Sequence, residues 1–140
     1  MDDLDKAIKL ACNAHAGQKD KAGKPYILHP LRLMLNFQNK QEQVVAVLHD
    51  TIEDSDMTLE DLASFGFSEL TIDALDCLSK RKNEEYEDFI KRIVPNELAR
   101  KIKIEDIKDN LDLTRIESIN SEDLKRVLKY HNSLRILLAR

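Results

Sequence analysis

One segment, VVAVLHDTIEDSD at residues 44–56, limits the possible folds more than any other part of the sequence. Its first half is almost entirely apolar and suits a helix, so it should lie in the interior. Its second half contains one histidine and four carboxylates within eight residues. Burying so many ionisable groups is costly unless something pairs them, and a divalent metal ion is a good candidate. We therefore expect a buried helix that leads directly into a polar site.

On a continuous helix, the polar half of this segment would form two stacked pairs. His49 and Glu53 are four residues apart, as are Asp50 and Asp54, so each pair would share one stripe. His49 and Asp50 would lie about 100° apart around the axis and could share one ion. The pattern predicts metal ligands followed by acid–base carboxylates. An ordinary helix end with a solvated acidic tail is the alternative, and the pattern alone leaves both open.

The rest of the chain indicates an all-α fold. Glycine and proline occur only three times each in 140 residues, and no β-branched run alternates strictly with polar residues. We predict a compact single-domain helical bundle over residues 1–140, without internal repeats. The predicted helices cover residues 2–15, 31–37, 40–53, 58–66, 68–78, 83–93, 95–111 and 121–139. Pro30 and Pro95 are predicted to open helices. Thr58 and Asp61 are predicted to form a capping box, and Ser68 and Ser121 to cap the helices that begin with them.

Charge and composition exclude several classes of partner. The net charge is −4, so the chain has no basic footprint for a nucleic-acid duplex. No stretch approaches the roughly 18 apolar residues of a membrane span, and the first residues lack an export-signal pattern. Cys12 and Cys77 have no paired spacing, so neither a thiolate metal site nor a disulfide framework is expected. We expect a cytoplasmic protein without a membrane partner.

Two further polar residues extend the candidate metal site. Taken singly, His29 at the end of a loop is explained as a structural histidine, and Asp106 as a surface helix carboxylate. Together with His49 and Asp50 they make a set of two histidines and two carboxylates, which suits Mn²⁺, Zn²⁺, Fe²⁺ or Mg²⁺. Such a set leaves room for water and substrate oxygens. The ion would lower the pKa of its water and polarise a phosphoryl oxygen.

Three blocks of sequence carry a resemblance to a known family. They are AHAGQKDKAGKPYILHP at residues 14–30, VLHDTIEDSDMTLEDL at 47–62 and KIEDIKDNLDL at 103–113. The order of His, then His-Asp, then a late Asp resembles the HD-domain metal-dependent phosphohydrolases. More narrowly, the chain is similar to the hydrolase domain of the RelA/SpoT homologues and to the small alarmone hydrolases. The resemblance implies an HD-type fold and an enzyme that removes 3′-pyrophosphate from a guanosine or adenosine alarmone, usually with Mn²⁺.

The resemblance also implies a role for each matching residue. The two histidines and two aspartates of the candidate site would ligate the metal. Glu53 and Asp54 match a Glu-Asp pair that positions or deprotonates the attacking water and manages the proton of the leaving group. Asn110 matches an asparagine that contacts the nucleotide. Lys21 would neutralise phosphate charge, with a solvated loop lysine as the alternative.

Two positions depart from the family pattern. The chain has Asp20 where alarmone hydrolases typically carry an arginine that packs on guanine, and Asp112 where the family tends to have a second arginine. Both changes place an anion in a pocket for a polyanion, which weakens the substrate assignment but not the metal site. An HD-type phosphohydrolase acting on another nucleotide, such as a monophosphatase, is therefore the alternative enzyme.

A non-catalytic nucleotide-binding module is the competing class of function. The carboxylates of Glu53 and Asp54 count against it, because a binder of a polyanion gains nothing from extra negative charge. A purely structural role would leave the buried ionisable set unexplained. The expected partner is a small phosphorylated nucleotide, and the chain lacks the synthetase segments of long family members, so a single-function hydrolase is expected. The base, the metal used in vivo and the oligomeric state stay open.

Overall fold

The computed structural model describes residues 1–139 and shows an all-α protein. Within these residues, an isolated bridge between Lys19 and Pro25 is the only β-type pairing. Within residues 1–139, the α-helices are α1 (Asp3–Ala14), α2 (Leu28–Leu35), α3 (Lys40–Leu48), α4 (Thr51–Asp54), α5 (Leu59–Ser64), α6 (Glu69–Cys77), α7 (Tyr86–Ile93), α8 (Glu97–Leu111) and α9 (Ser121–Leu138). A short 3₁₀ helix, Leu113–Arg115, follows α8. The predicted fold class is confirmed.

Helix α3 lies at the centre of the fold. Its last five residues, 44–48, are all buried, and the helix packs against α1, α2, α6 and α8. A helical segment that is apolar on every side, as residues 44–48 are, belongs in the interior, where neighbouring helices cover it. Asn39 caps the helix by accepting the N–H of Glu42 at 3.1 Å. The end of α3 is therefore held in the middle of the molecule.

The single long helix predicted through this region is interrupted, so that prediction was wrong. Helix α3 ends at Leu48, and α4 begins at Thr51. The Thr51 hydroxyl donates to the Leu48 carbonyl at 2.8 Å, and His49 Nδ1 lies 2.7 Å from the Ala46 carbonyl oxygen. Side-chain donors on these carbonyls compete with the backbone N–H groups of a continuing helix. His49 and Asp50 therefore lie in a turn between two helices.

Several other helix starts differ slightly from the predictions. Helix α2 already contains Pro30 in its first turn, where a missing N–H leaves no helical hydrogen bond unmade. Helix α8 begins after Asn96 rather than at Pro95, and α9 is capped by Asn120 rather than by Ser121. In both cases the asparagine side chain accepts an N–H of the first turn, which makes it the more effective cap.

The caps predicted for α5 and α6 are confirmed. Thr58 and Asp61 form a reciprocal capping box at the start of α5, with hydrogen bonds of 3.1 and 3.0 Å. Gly66, with φ of 91°, follows the end of that helix. The Ser68 side chain accepts the N–H of Thr71 at the start of α6. Local sequence was sufficient here because the partners are three residues apart.

Helices α7, α8 and α9 pack on one another and form the second side of the molecule. Leu124 and Leu128 of α9 are 58% and 66% exposed. Val127 and Tyr130 of the same helix line a cavity, and Leu137 is fully buried. In residues 1–139 we find no helix with both the length and the apolar character needed to span a bilayer.

Candidate metal centre

Four side chains from three separate parts of the chain meet at one point. They are His29 in the first turn of α2, His49 and Asp50 between α3 and α4, and Asp106 in α8. One ligand atom from each lies within 4.8 Å of the other three. His29 Nε2 is 2.8 Å from Asp106 Oδ1, and His49 Nε2 is 2.9 Å from Asp50 Oδ2. The structure thus brings together all four residues that the sequence indicated, in an arrangement that could hold a divalent ion.

The orientation of His49 fits a metal ligand. Its Nδ1 lies 2.7 Å from the Ala46 carbonyl oxygen, so in the neutral ring Nδ1 carries the hydrogen and Nε2 a lone pair. Nε2 is buried and, among the described residues, has no partner with hydrogen-bond geometry, although the Asp50 oxygen is close. A buried nitrogen left in this way is costly, and a metal ion at this point would satisfy it.

The electrostatics of the cluster favour a bound cation. Burial opposes ionisation of Asp50, but the charge of the neighbouring His49 lowers its pKa to about 2. Burial acts against the charged form of His49, yet the carboxylates of Asp50 and Asp106 raise its pKa well above the usual value. Both aspartates are therefore ionised, and their negative charge favours a bound cation.

Asp106 is held by two neighbours on its own helix. Lys103 Nζ lies 2.8 Å from its Oδ2, and Asn110 Nδ2 donates to its Oδ1 at 3.1 Å. Burial opposes ionisation of Asp106, but the Lys103 charge holds its pKa well below the usual range. Asn110, predicted as a nucleotide contact, lines the cavity as well as contacting this aspartate.

His29 is oriented by a residue that the sequence reasoning missed. Its Nδ1 is 2.6 Å from Asp109 Oδ2, while its Nε2 faces the cluster. Arg32 donates two hydrogen bonds of 2.9 Å to the Asp109 carboxylate. The signal in the sequence was weak: Asp109 lies three residues after Asp106 on one helix, and Arg32 lies three residues after His29 on another.

Tyr26 adds a donor from the loop before α2. Its hydroxyl donates a hydrogen bond to Asp50 Oδ2, and its ring lies 5.0 Å from the His15 ring and 5.7 Å from the His29 ring, centroid to centroid. Burial and the negative charge of Asp50 raise the pKa of the Tyr26 hydroxyl. Tyr26 therefore stays protonated and stabilises the ionised Asp50.

Glu53 and Asp54 lie at the end of α4 and line the same cavity. Glu53 accepts the backbone N–H of Lys80 from the loop that precedes α7. Partial burial and the charge of Asp50 raise the pKa of the Asp54 carboxyl. The raised pKa makes this carboxylate a better proton acceptor, which suits it to general acid–base chemistry beside the candidate metal site.

The cavity that opens onto the cluster has a volume of about 570 Å³, within the range of small-molecule sites. Basic side chains on its wall include Lys21, Lys80, Arg115 and Arg126. Aromatic rings, among them Tyr130, lie on the same wall. Basic groups can bind phosphates and aromatic faces can contact a base, so the lining suits a phosphorylated nucleotide.

The two acidic departures from the family pattern are engaged within the protein. Asp20 accepts the N–H groups of Ala22 and Lys24, each at 2.9 Å, and so organises its own loop. Asp112 pairs with Arg115 at 3.0 Å. The guanidinium of Arg115 lies at the cavity wall and offsets the charge of Asp112. The wall therefore repels a phosphorylated ligand less than an unpaired Asp112 would.

Comparison with curated proteins finds relatives among the alarmone enzymes. No family model matches the chain. The chain is 39% identical over 103 residues to the guanosine-3′,5′-bis(diphosphate) 3′-pyrophosphohydrolase of Vibrio cholerae. This match covers 65% of the chain and 14% of the relative. The chain is also 29% identical over 120 residues to the Aquifex aeolicus protein of the same name, covering 79% and 17%. The chain thus spans less than a fifth of the length of these relatives.

A solved structure with a similar fold is that of a metazoan ortholog of SpoT that hydrolyzes ppGpp. The TM-score is 0.78 at 20% identity, and the match covers 99% of this chain and 87% of that one. At this identity the likeness shows the fold. Together with the sequence similarities, it confirms the resemblance to the hydrolase domain of the RelA/SpoT homologues.

Proposed function

We propose that this chain, which resembles the RelA/SpoT hydrolase domain in sequence and fold, is a metal-dependent alarmone phosphohydrolase. Its reaction is the removal of 3′-pyrophosphate from a guanosine or adenosine alarmone, and Mn²⁺ is the proposed metal. The observation that carries the proposal is the cluster of two histidines and two aspartates, whose ligand atoms lie within 4.8 Å of one another. The cluster lies beside a cavity of about 570 Å³ with basic and aromatic walls.

The proposed metal ligands are His29, His49, Asp50 and Asp106. The donor set of two imidazole nitrogens and two carboxylate oxygens fits the group, and the unpartnered Nε2 of His49 supports it. When bound, a divalent ion supplies charge to polarise a phosphoryl oxygen and makes water more acidic. The four side chains would fix where that charge lies, beside the cavity that the nucleotide would enter.

Glu53 and Asp54 are the proposed acid–base residues. Water attacks the phosphorus that is attached to the ribose 3′ oxygen. The bond between this phosphorus and the 3′ oxygen breaks, the water gives up a proton, and the 3′ oxygen takes one up. The raised pKa of Asp54 suits it to accept the proton of the water and to return one to the leaving oxygen. The Lys80 N–H holds the Glu53 carboxylate at the cavity wall, where it can orient the water.

Lys21 and Asn110 are proposed to contact the substrate. Both line the cavity, and Lys21 is exposed on the loop that also carries Asp20. The ammonium group can neutralise a phosphate, whereas the Asn110 amide can link the nucleotide to Asp106. The cytoplasmic location, predicted from the two unpaired cysteines, stays a prediction.

A second candidate function is supported by the acidic groups on the wall. Asp20 and Asp112 both line the cavity and would disfavour the most highly charged nucleotides. An HD-type hydrolase of a less charged nucleotide, releasing phosphate instead of pyrophosphate, fits this observation. A binding module without turnover leaves the positions of Glu53 and Asp54 unexplained.

The test uses the purified chain after removal and re-addition of Mn²⁺. The tetraphosphates of guanosine and adenosine, each with a 3′-pyrophosphate, are supplied, and released pyrophosphate and phosphate are measured separately. We expect Mn²⁺-dependent release of pyrophosphate from at least one of them. Release of phosphate from a simpler nucleotide would favour the second candidate. Tight binding of both compounds with no product would contradict the enzyme assignment.

A further inference from the structure

We propose that Asp109 is a positioning residue of the metal centre and that Arg32 acts through it. The inference rests on the proposed function, because it concerns the same site. Asp109 does not point its carboxylate at the four-residue cluster as a fifth ligand; it contacts the far side of the His29 ring. Its role follows from what that contact does to the ring.

The contacts form a chain that begins at the cavity wall and ends at the cluster. Arg32 binds both oxygens of Asp109, with Nε to Oδ1 and Nη2 to Oδ2 each at 2.9 Å. Asp109 Oδ2 lies 2.6 Å from His29 Nδ1. Only 5% of the His29 side chain and 12% of the Asp109 side chain are exposed. Water therefore competes little for the bond between them.

A carboxylate in this place selects one form of the neutral imidazole. An ionised carboxylate can only accept, so His29 must carry its hydrogen on Nδ1. The lone pair is then on Nε2, which faces Asp106 and the proposed ion. The opposite tautomer would direct an N–H at the metal position and could not ligate. Asp109 thus makes His29 a ligand without touching the ion.

Arg32 holds the Asp109 carboxylate in the orientation that contacts His29. A guanidinium is planar and binds both oxygens of a carboxylate in one orientation, which a lysine ammonium cannot do. Arg115 adds a bond from Nη2 to the Asp109 backbone carbonyl at 2.8 Å, which holds the end of α8. Asp109, Arg32 and Arg115, none of them a proposed ligand, therefore determine the orientation of the His29 ring.

The test compares Mn²⁺ affinity between the full chain and its Asp109→Asn variant. Free Mn²⁺ is followed by electron paramagnetic resonance during titration. The asparagine amide can turn its NH₂ group toward His29 and select the wrong tautomer, so we expect affinity to fall by about 10–100-fold. Glu105→Gln is the matched control, because Glu105 is an ion-paired acid on the same helix that contacts Lys108 instead of a ligand. Its Mn²⁺ affinity should equal that of the unmodified chain.

A second measurement separates positioning from a general loss of structure. Zn²⁺-loaded protein labelled with ¹⁵N is expected to show His29 with its hydrogen on Nδ1, and Asp109→Asn to lose that signature. Thermal unfolding without metal is measured first. If Asp109→Asn does not fold, Asp109→Ala carries the same comparison. Mn²⁺ affinity equal to that of the unmodified chain, in whichever variant folds, would overturn the proposal.

The outcomes also distinguish this inference from the proposed function. Mn²⁺ binding that depends on Asp109, in a protein that releases no pyrophosphate, would support the positioning role and contradict the enzyme assignment. Pyrophosphate release with unchanged Mn²⁺ affinity in Asp109→Asn would overturn the positioning role alone. An unmodified chain that binds no Mn²⁺ would overturn both.

Discussion

The two histidines of the candidate metal centre are presented by different kinds of partner. His49 is oriented by the carbonyl of Ala46, three residues earlier in the same stretch of chain. His29 is oriented by Asp109, which is 80 residues away in sequence. Both rings direct Nε2 at the same two aspartates. One site therefore has a local half, formed within a single turn, and a remote half, formed only when helices pack.

The difference shows which part of the site depends on the whole fold. Residues 49–54 supply His49, Asp50, Glu53 and Asp54, so the local half exists once α3 and α4 form. The remote half needs α2 and α8 to pack against α3 and against each other. A metal ion that bridges the two halves would bind the folded chain and not the unfolded one, and should stabilise it.

Removing one histidine from either half should have the largest effect. We expect His29→Ala and His49→Ala each to weaken Mn²⁺ binding by more than the roughly 100-fold limit for an outer partner. Both should also lose the rise in unfolding temperature that Mn²⁺ causes. His131→Ala, which alters an exposed histidine on α9, is the control for titration and thermal unfolding. A variant that keeps full affinity would show that its half is not part of the centre.

Glu53→Gln should change turnover without changing metal affinity. The carboxylate lies in the local half, but its partner is the remote Lys80 N–H rather than a ligand. Loss of an acid–base group is expected to lower the rate of pyrophosphate release by about 10²–10⁴-fold. Glu60→Gln, on the exposed side of α5, is the matched control. Weakened Mn²⁺ binding in Glu53→Gln would contradict this separation and place Glu53 among the ligands.

Arg32→Lys and Thr51→Val compare the supports of the two halves directly. Arg32→Lys keeps the charge but loses the two-point contact with Asp109, so Mn²⁺ affinity should fall by about 10-fold. Thr51→Val removes the bond to the Leu48 carbonyl beside His49 and should lower the free energy of unfolding by roughly 1 kcal/mol. Its Mn²⁺ affinity should not change. Mn²⁺ affinity is measured by metal titration, and the free energy of unfolding by urea unfolding. Unchanged Mn²⁺ affinity in Arg32→Lys together with weakened affinity in Thr51→Val would contradict the division into a local and a remote half.

Substitution of Glu84 should have the smallest effect, a decrease in the free energy of unfolding that depends on pH. Glu84 belongs to the remote loop that reaches Glu53, and its pKa is lowered to about 2 by hydrogen bonds from Arg92 and then from the Arg81 N–H. Since the folded pKa lies below the ordinary value of 4.5, the bonds stabilise the fold fully above pH 4.5. That stability is lost as the pH falls from about 4.5 to 2.

Urea unfolding of the unmodified chain and of Glu84→Gln measures this dependence. The unmodified chain should be the more stable at pH 6, by a small margin because the pair is partly exposed. The difference should shrink below pH 4.5 and nearly vanish at pH 2. A difference that stays constant over this range would show that the ionisation of Glu84 contributes nothing.

The sequence by itself determined the features whose partners are close along the chain. The apolar residues 44–48 predicted the buried helix, and Thr58 with Asp61 predicted the start of α5. The all-α class followed from the scarcity of glycine and proline and the absence of strand patterns. The four residues that meet at the candidate centre were also named: His49 and Asp50 from their place after the apolar run, and His29 and Asp106 because they complete a set of metal-ligating side chains. Capping and burial of this kind depend on neighbours three or four positions away, so a linear pattern carries them.

Only the tertiary structure decided how those residues are presented. The helix ends after Leu48 because buried side chains take the carbonyls that a longer helix would use. The contact of Asp109 with His29 joins positions on separate helices, and Leu124 is exposed because α9 turns another face to the cavity. Each of these outcomes depends on packing between elements far apart in sequence. Local periodicity contains no information about which distant side chain will satisfy a buried polar group.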